Sequence, residues 1–367
     1  MKLIAIIIAC LIQLSAAQAQ VMSGIPTAFK DTLHSEITGT DYVLYISTPY
    51  PFRSKDAQYP ILFYLDAFVS SSGMNELAKN MMWSKSMDPT IVVGISFNTE
   101  ISNFNNIRRR DYLPPEDDKD STHKADDFLK FIKTELIPYM ENKYGADPND
   151  RGLLGFSYGG LFTTYAFKED PELFQKLGLL SPSLDYRDQL IYKDGMLLNN
   201  IKNALDLDVF ISYGDDESEG FKQYGQQLYE AFTANKQVEA DMVLFPGEDH
   251  STVWYASSAR AMLVLCGNEY KALLREGDRF YHSEEYDKAA ERYKKAFNTY
   301  PTAVRAYDRY DMACMLALSG NIDEAFVYLE GLAASNPEMH EVIKQDADLS
   351  VLREDSRWGA LMENFMR

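Results

Sequence analysis

One hexapeptide, Gly155-Phe156-Ser157-Tyr158-Gly159-Gly160, constrains this chain more than any other. It comes after the apolar run Gly152-Leu153-Leu154 and leads into an apolar stretch, so it reads as strand, sharp turn, helix. A serine at such a turn is held on strained backbone with its hydroxyl exposed. The flanking glycines are expected because a Cβ at either position would crowd the neighbouring strand and helix. The first N–H groups of the helix point back at the serine and can bind a negative charge that develops beside it. The G-x-S-x-G spacing recurs by chance, so its weight comes from its flanks and from partner residues further along the chain.

A serine hydroxyl becomes a nucleophile when a base takes its proton and a third group orients that base. At strand–turn–helix serines the acid and then the histidine come later in the chain. The chain has five histidines: His34, His123, His250, His282 and His340. The first two precede Ser157, and the last two lie in a helical C-terminal stretch. His250 remains, in Gly247-Glu248-Asp249-His250-Ser251, after the apolar run Met242-Val243-Leu244-Phe245 and before a helical pattern. A surface-loop histidine is the plain alternative; its order relative to Ser157 favours the general base. The preceding strand, Leu207 to Tyr213, runs into Gly214-Asp215-Asp216-Glu217-Ser218-Glu219. Any of Asp215, Asp216 or Glu217 could orient the imidazole, and the others form a solvated turn that caps the next helix. Asp249 reads as a loop residue.

Length and composition allow a large enzyme domain. The 367 residues suggest one large domain plus a small one, and 46% hydrophobic content can bury a sizeable core. A net charge of −19 argues against nucleic acid or anionic membrane surfaces as partners. No phosphate-binding G-x-x-x-x-G-K loop and no zinc-type Cys/His spacing occurs. The N-terminus has Lys2, the apolar run Leu3 to Ile12, and Ala17-Gln18-Ala19. That pattern predicts a cleaved export signal over residues 1–19, periplasmic or secreted localisation, and no stable membrane span afterwards. Ile7-Ile8-Ala9-Cys10 resembles a lipoprotein box, but the apolar region continues past Cys10. Cys266 and Cys314 then remain, in different helical segments, which disfavours a disulfide.

Strand-like and helix-like stretches alternate along the mature chain. Tyr42–Ile46, Ile61–Leu65, Ile91–Ile95, the run before Ser157, Leu177–Leu180, Leu207–Tyr213 and Met242–Phe245 read as strands. Phe128, Phe131, Ile132 and Leu136 repeat at helical spacing over about Asp126 to Lys143, with a kink expected at Pro138. The pattern predicts an α/β fold with a mostly parallel central sheet. Arg108, Arg109 and Arg110 are expected on a loop at a strand's C-terminal end, where such sheets bind ligands. Beside them, Glu116 to Asp120 reads as a solvated acidic loop.

Several motifs occur together in order: Leu65-Asp66-Ala67, Arg109-Arg110-Asp111-Tyr112-Leu113-Pro114, Glu135-Leu136-Ile137-Pro138-Tyr139, the Ser157 hexapeptide, Ser181-Pro182-Ser183, and Gly247-Glu248-Asp249-His250. As a set, over roughly residues 25 to 266, they resemble the esterase-D-like "putative esterase" family of α/β-hydrolases, closest to its siderophore-esterase branch. The resemblance implies Ser157 as nucleophile, His250 as base and Glu217 as the acid, where relatives more often carry Asp; some siderophore esterases resemble a Ser–His dyad. It implies an oxyanion hole from the Tyr158 N–H and a second donor at Ala67 or Phe68. Arg109, Arg110, Tyr186 and Trp254 are candidate substrate contacts. No metal or organic cofactor is implied. The expected reaction is carboxylic ester hydrolysis through an acyl-enzyme, on a siderophore or other small oligo-ester, or else on feruloyl or acetyl esters of polysaccharide.

The stretch from 268 to 367 is different. Gly277, Phe280, Ala289, Tyr293, Ala296 and Pro301 match the small/large spacing of a tetratricopeptide repeat. Ala313, Leu316, Ala325, Leu329 and Pro337 repeat most of it 36 residues later. Leu273 and Glu276 depart from the consensus Trp and Leu. The reading is a hydrolase domain over 20–267 and a small all-α helical-repeat module over 268–367 that packs on it or binds a protein partner. A non-catalytic scaffold acting through the repeats is the rival class, and the paired Ser157 and His250 argue against it.

Overall fold

The structure, a computed structural model, describes residues 28–49, 57–117 and 120–366. The export signal expected over residues 1–19 lies outside these residues. Eight strands form one sheet among the described residues: β1 (Phe29–Ser35), β2 (Thr40–Ser47), β3 (Tyr59–Tyr64), β4 (Ile91–Phe97), β5 (Ala146–Phe156), β6 (Lys176–Leu180), β7 (Leu207–Gly214) and β8 (Val238–Phe245). Their order is β1-β2-β4-β3-β5-β6-β7-β8. The β1–β2 and β2–β4 pairs are antiparallel, and every other pair is parallel.

Parallel strands need helices on both faces, so their sequences are apolar throughout. β4 is buried at every position. Successive side chains then alternate between two apolar layers. Phe63, Val93 and Leu153 face a layer with Phe128 and Phe162. Their neighbours Leu62, Val92 and Leu154 face the other layer, with Met74 and Trp254. β1 is absent from the sequence expectation because it is a largely exposed edge strand with weak alternation.

One local expectation is corrected and another refined. Arg108, Arg109 and Arg110 do not lie on a loop; they belong to the helix Ile101–Tyr112, which buries Phe104, Asp111 and Tyr112. The helix expected over about Asp126 to Lys143 is present as contiguous helical turns from Ala125 to Tyr144, with a π-helical stretch, Ile132–Leu136, directly before Ile137–Tyr144, in whose first turn Pro138 lies. Proline is tolerated there because the first turn of a helix does not need its N–H.

After Cys266 the chain is helical. Helices Glu269–His282 and Tyr286–Thr299 pair, as do Ala306–Leu318 and Ile322–Ser335, and short helices continue to Phe365. Their buried apolar residues, from Tyr270 to Phe365, form a cluster of their own. A Cβ on Gly277 would come within 2.6 Å of the Tyr293 ring, so these two helices approach closely. At the junction, the Asn268 N–H donates to the Ser86 carbonyl at 3.0 Å. Cys266 and Cys314 are both free and buried. No described helix is long and apolar enough to cross a membrane.

Candidate active site

Ser157 sits between β5 and the helix Tyr158–Glu169, with φ 58° and ψ −118°. A non-glycine residue there stores strain on the order of 1–3 kcal/mol, sustained only by its surroundings. The Ser157 N–H donates to Leu180 O at 3.0 Å, and Leu161 and Ser183 N–H groups donate to Ser157 O at 3.0 and 3.1 Å. A Cβ on Gly155 would lie 2.1 Å from the Gly159 carbonyl oxygen, so only glycine fits. Gly159 is less constrained than its motif position suggests, since its nearest neighbour would be 3.4 Å away; the second closed position is Gly160, 2.9 Å from Pro182.

His250 lies between Ser157 and Glu217. Its Nε2 is 3.0 Å from Ser157 Oγ and its Nδ1 is 2.6 Å from Glu217 Oε1. The ring is packed by Phe156 and Phe221, with centroids at 4.9 and 5.4 Å. The Glu217 side chain is 3% exposed. Burial pushes its carboxyl up, but hydrogen bonds from His250, Ser181 and the Gly214 N–H outweigh that and hold it below its ordinary value. A carboxylate can only accept, so Nδ1 carries the proton and Nε2 presents a lone pair to the Ser157 hydroxyl. Of the other two acids, Asp215 accepts from the Gly247 N–H at 2.6 Å and Asp216 lines the larger of two cavities beside the serine. Asp249 accepts from the Ser251 and Thr252 N–H groups and shapes the loop.

The helix Ala67–Trp83 starts directly after β3. Its N-cap residue Asp66 has φ 58° and makes no side-chain cap. The Asp66 carboxylate instead meets Arg108 in two bonds, Nε to Oδ1 at 2.7 Å and Nη2 to Oδ2 at 2.8 Å. Arg108 Nη2 also donates to Phe156 O at 3.0 Å. The guanidinium lies over the Tyr158 ring, 5.4 Å from its centroid. The first-turn N–H groups of both helices, at Ala67 and Phe68 and at Tyr158, thus have no side-chain cap. The two helix starts are neighbours, since a Cβ on Gly159 would lie 3.4 Å from Asp66 Oδ2. Asp66 and Ser181 are residues of the candidate site to which sequence reasoning gave no role, although each stands in a motif; Arg108 was expected near bound ligand, and its pairing with Asp66 was not foreseen.

The two cavities flank Ser157 and His250. The larger, about 690 Å³, is lined by Tyr158, Ser183, Tyr186, Arg187 and Asp216. The smaller, about 330 Å³, is lined by Val69, Phe104, Arg108, Trp254 and Tyr255. Tyr186 and Trp254 therefore line different cavities beside the serine. Arg109 is exposed at the rim, its Nη1 donating to Tyr158 Oη at 3.3 Å. Arg110 is not brought to the serine: Asp111 and Thr40 hold its guanidinium. Among the described residues the group with metal-ligating spacing is Cys314, Asp346 and Asp348, in the C-terminal helices. The Asp346 and Asp348 carboxylates already accept from the Tyr310 and Tyr281 hydroxyls.

The sheet order, its antiparallel β2, and helices on both faces define an α/β-hydrolase fold. The chain belongs to the "Putative esterase" family, whose profile matches residues 35–262, and it is a carboxylic ester hydrolase. It is 26% identical over 237 residues to the ferri-bacillibactin esterase BesA of Bacillus subtilis (strain 168), covering 59% of this chain and 80% of that protein. The siderophore hydrolase EstB from Aspergillus nidulans superposes with a TM-score of 0.57 at 19% identity, over 68% of this chain and 98% of that one. An IroE-like serine hydrolase from Shewanella oneidensis superposes with a TM-score of 0.54 at 19% identity, over 92% of this chain and 99% of that one. Coverage of that extent takes in most of the helices after Cys266.

Proposed function

We propose that this chain is an exported serine hydrolase that cleaves siderophore-type oligoesters, with Ser157 as nucleophile, His250 as general base and Glu217 as the acid that orients it. The observation that carries the reading is the His250 ring, 3.0 Å from Ser157 Oγ on one side and 2.6 Å from Glu217 Oε1 on the other. Ser157 attacks the ester carbonyl while Nε2 takes its proton, and Glu217 holds the imidazolium that forms. The carbonyl oxygen becomes an oxyanion that accepts from the Tyr158 N–H and from Ala67 or Phe68. Each such donor is worth about 3 kcal/mol in the transition state. The tetrahedral adduct collapses, the alkoxide leaves with the proton from Nε2, and water repeats the sequence on the acyl-enzyme.

Cavities on both sides of the serine suit an ester with a bulky group on its acyl side and another on its alcohol side. The name of the relative BesA supports an iron-siderophore ester as the substrate class. Residues 20–267 form the hydrolase domain and residues 268–367 a tetratricopeptide-like module, a division supported by the separate apolar cluster after Cys266. Export rests on the Lys2 to Ala19 pattern, and N-terminal sequencing of the secreted or periplasmic form tests it. For the substrate, a panel should compare catecholate siderophore triesters, iron-free and iron-loaded, with a feruloyl ester and an acetylated polysaccharide. The siderophore esters should lead in kcat/KM by at least about tenfold. A feruloyl or acetyl ester in first place would overturn the substrate class, and a folded protein inactive on every ester would overturn the catalytic assignment.

A further inference from the structure

Ser181 is fully buried at the end of β6, and its backbone has φ 43°, a left-handed conformation unusual for a residue with a side chain. Its N–H is anchored to Ser212 O at 2.7 Å. Its Oγ lies 2.5 Å from Glu217 Oε1 and 3.0 Å from His250 Nδ1. The Glu217 carboxylate can only accept, and Nδ1 already carries a proton directed at the same Oε1. The single Ser181 hydroxyl proton therefore goes to Glu217, and its lone pair faces Nδ1–H as a secondary acceptor. Two residues on, the Ser183 N–H donates to Ser157 O at 3.1 Å. The segment Ser181-Pro182-Ser183 thus ties the acid end of the relay to the nucleophile end.

We infer that Ser181 is a positioning residue for ester hydrolysis: its hydroxyl fixes the Glu217 carboxylate against His250. The inference rests on the reading of Ser157, His250 and Glu217 as the catalytic set. Glutamate has one more rotatable bond than aspartate, so a carboxylate at this position needs more points of attachment. Gly214 supplies one at Oε2, at 2.8 Å, and Ser181 supplies the other at Oε1. The strained backbone at Ser181 aims the hydroxyl, an arrangement that costs stability and persists where the surroundings over-determine it.

The test is a cycle of Ser181→Ala, Glu217→Gln and the double variant, assayed on a small activated ester. Losing one hydrogen bond to a charged group predicts a fall in kcat of about 10- to 100-fold for Ser181→Ala, with KM within about twofold. In the Glu217→Gln background the same substitution should cost less than about threefold, because its effect passes through the carboxylate. An equal loss in both backgrounds would make Ser181 a structural residue and overturn the inference. Glu217→Gln with near-wild-type kcat would instead overturn the underlying catalytic reading, whatever Ser181→Ala does. Ser181→Gly guards against a folding defect, since glycine relaxes the left-handed backbone while removing the hydroxyl. It should be as stable as the wild type or more so, and still lose kcat; a stable, fully active Ser181→Gly would refute the proposal.

Discussion

Replacing Arg108 by methionine tests how the two helix starts are kept open beside Ser157. The Arg108 and Asp66 side chains are 13% and 8% exposed, so solvent screens their pairing little. Removing one partner of such a pair leaves a buried charge uncompensated, which costs about 3–5 kcal/mol. That loss should appear as a lower midpoint in urea and a melting temperature lower by roughly 10 °C. A second effect falls on the chemistry. Asp66 is the N-cap residue of the helix Ala67–Trp83 yet does not cap it: its backbone is left-handed rather than the extended form of a capping residue, and Arg108 holds its carboxylate. Once released, that carboxylate can turn back onto the first-turn N–H groups, which then no longer face the oxyanion proposed to bind there. Loss of one oxyanion donor lowers kcat by about 100- to 1000-fold. The assay is steady-state hydrolysis of a small activated ester, beside urea unfolding of the same preparation. Adding Asp66→Asn should recover most of the stability, since no charge is then buried, while kcat stays low because asparagine also caps. A variant Arg108→Met with unchanged midpoint and kcat within about threefold would refute the reasoning.

Three further outcomes are expected. Glu217→Gln should lower kcat at least about tenfold more than Asp215→Asn or Asp216→Asn, because the first carboxylate meets His250 and Asp215 meets Gly247; equal kcat in all three variants would indicate a Ser–His dyad. Asp208, paired in register with Lys176 and Glu239, has its carboxyl raised from 3.8 to about 6 by burial and by Glu239. Its ionised form therefore destabilises the fold, with no penalty below pH 3.8 and the full penalty above about 6. Asp208→Asn should thus stabilise the protein by roughly 1–2 kcal/mol at pH 7, solvent screening at this half-buried position reducing the full effect, and hardly at all at pH 3.5, read by urea unfolding at the two pH values. A chain ending at Gly267 should keep kcat on a small ester, because Ser157, His250 and Glu217 all precede that point; a folded but inactive truncation would mean that the C-terminal helices help build the site.

The site was legible in the sequence where chemistry and chain order act together. The turn at Ser157 announces itself through glycines, and Gly155 has no room for a Cβ. His250 emerges from its order after Ser157 and from the helical setting of His282 and His340; among Asp215, Asp216 and Glu217 the residues left the choice open, and only the family resemblance pointed to Glu217, whose carboxylate also accepts from the Gly214 N–H. Supporting contacts between distant segments were not legible. Arg108 and Asp66 are joined across 42 residues, and Ser181 and Glu217 across 36, and nothing local records either bond. The helix Ile101–Tyr112 was hidden by its asparagines and arginines, a polar run that looks like a loop; Phe104, Asp111 and Tyr112 bury into the core and override that preference. Strand β1 was hidden by edge placement, where one solvated face and polar residues blur the alternation.

The central claim is that Ser157 is the nucleophile. The direct measurement is to label the purified protein with a fluorophosphonate and locate the adduct by peptide mass. The account predicts one adduct, on Ser157, together with loss of ester hydrolysis, and neither labelling nor turnover in a folded Ser157→Ala variant. An adduct on another residue, or a Ser157→Ala variant that still hydrolyses esters at the wild-type rate, would contradict it.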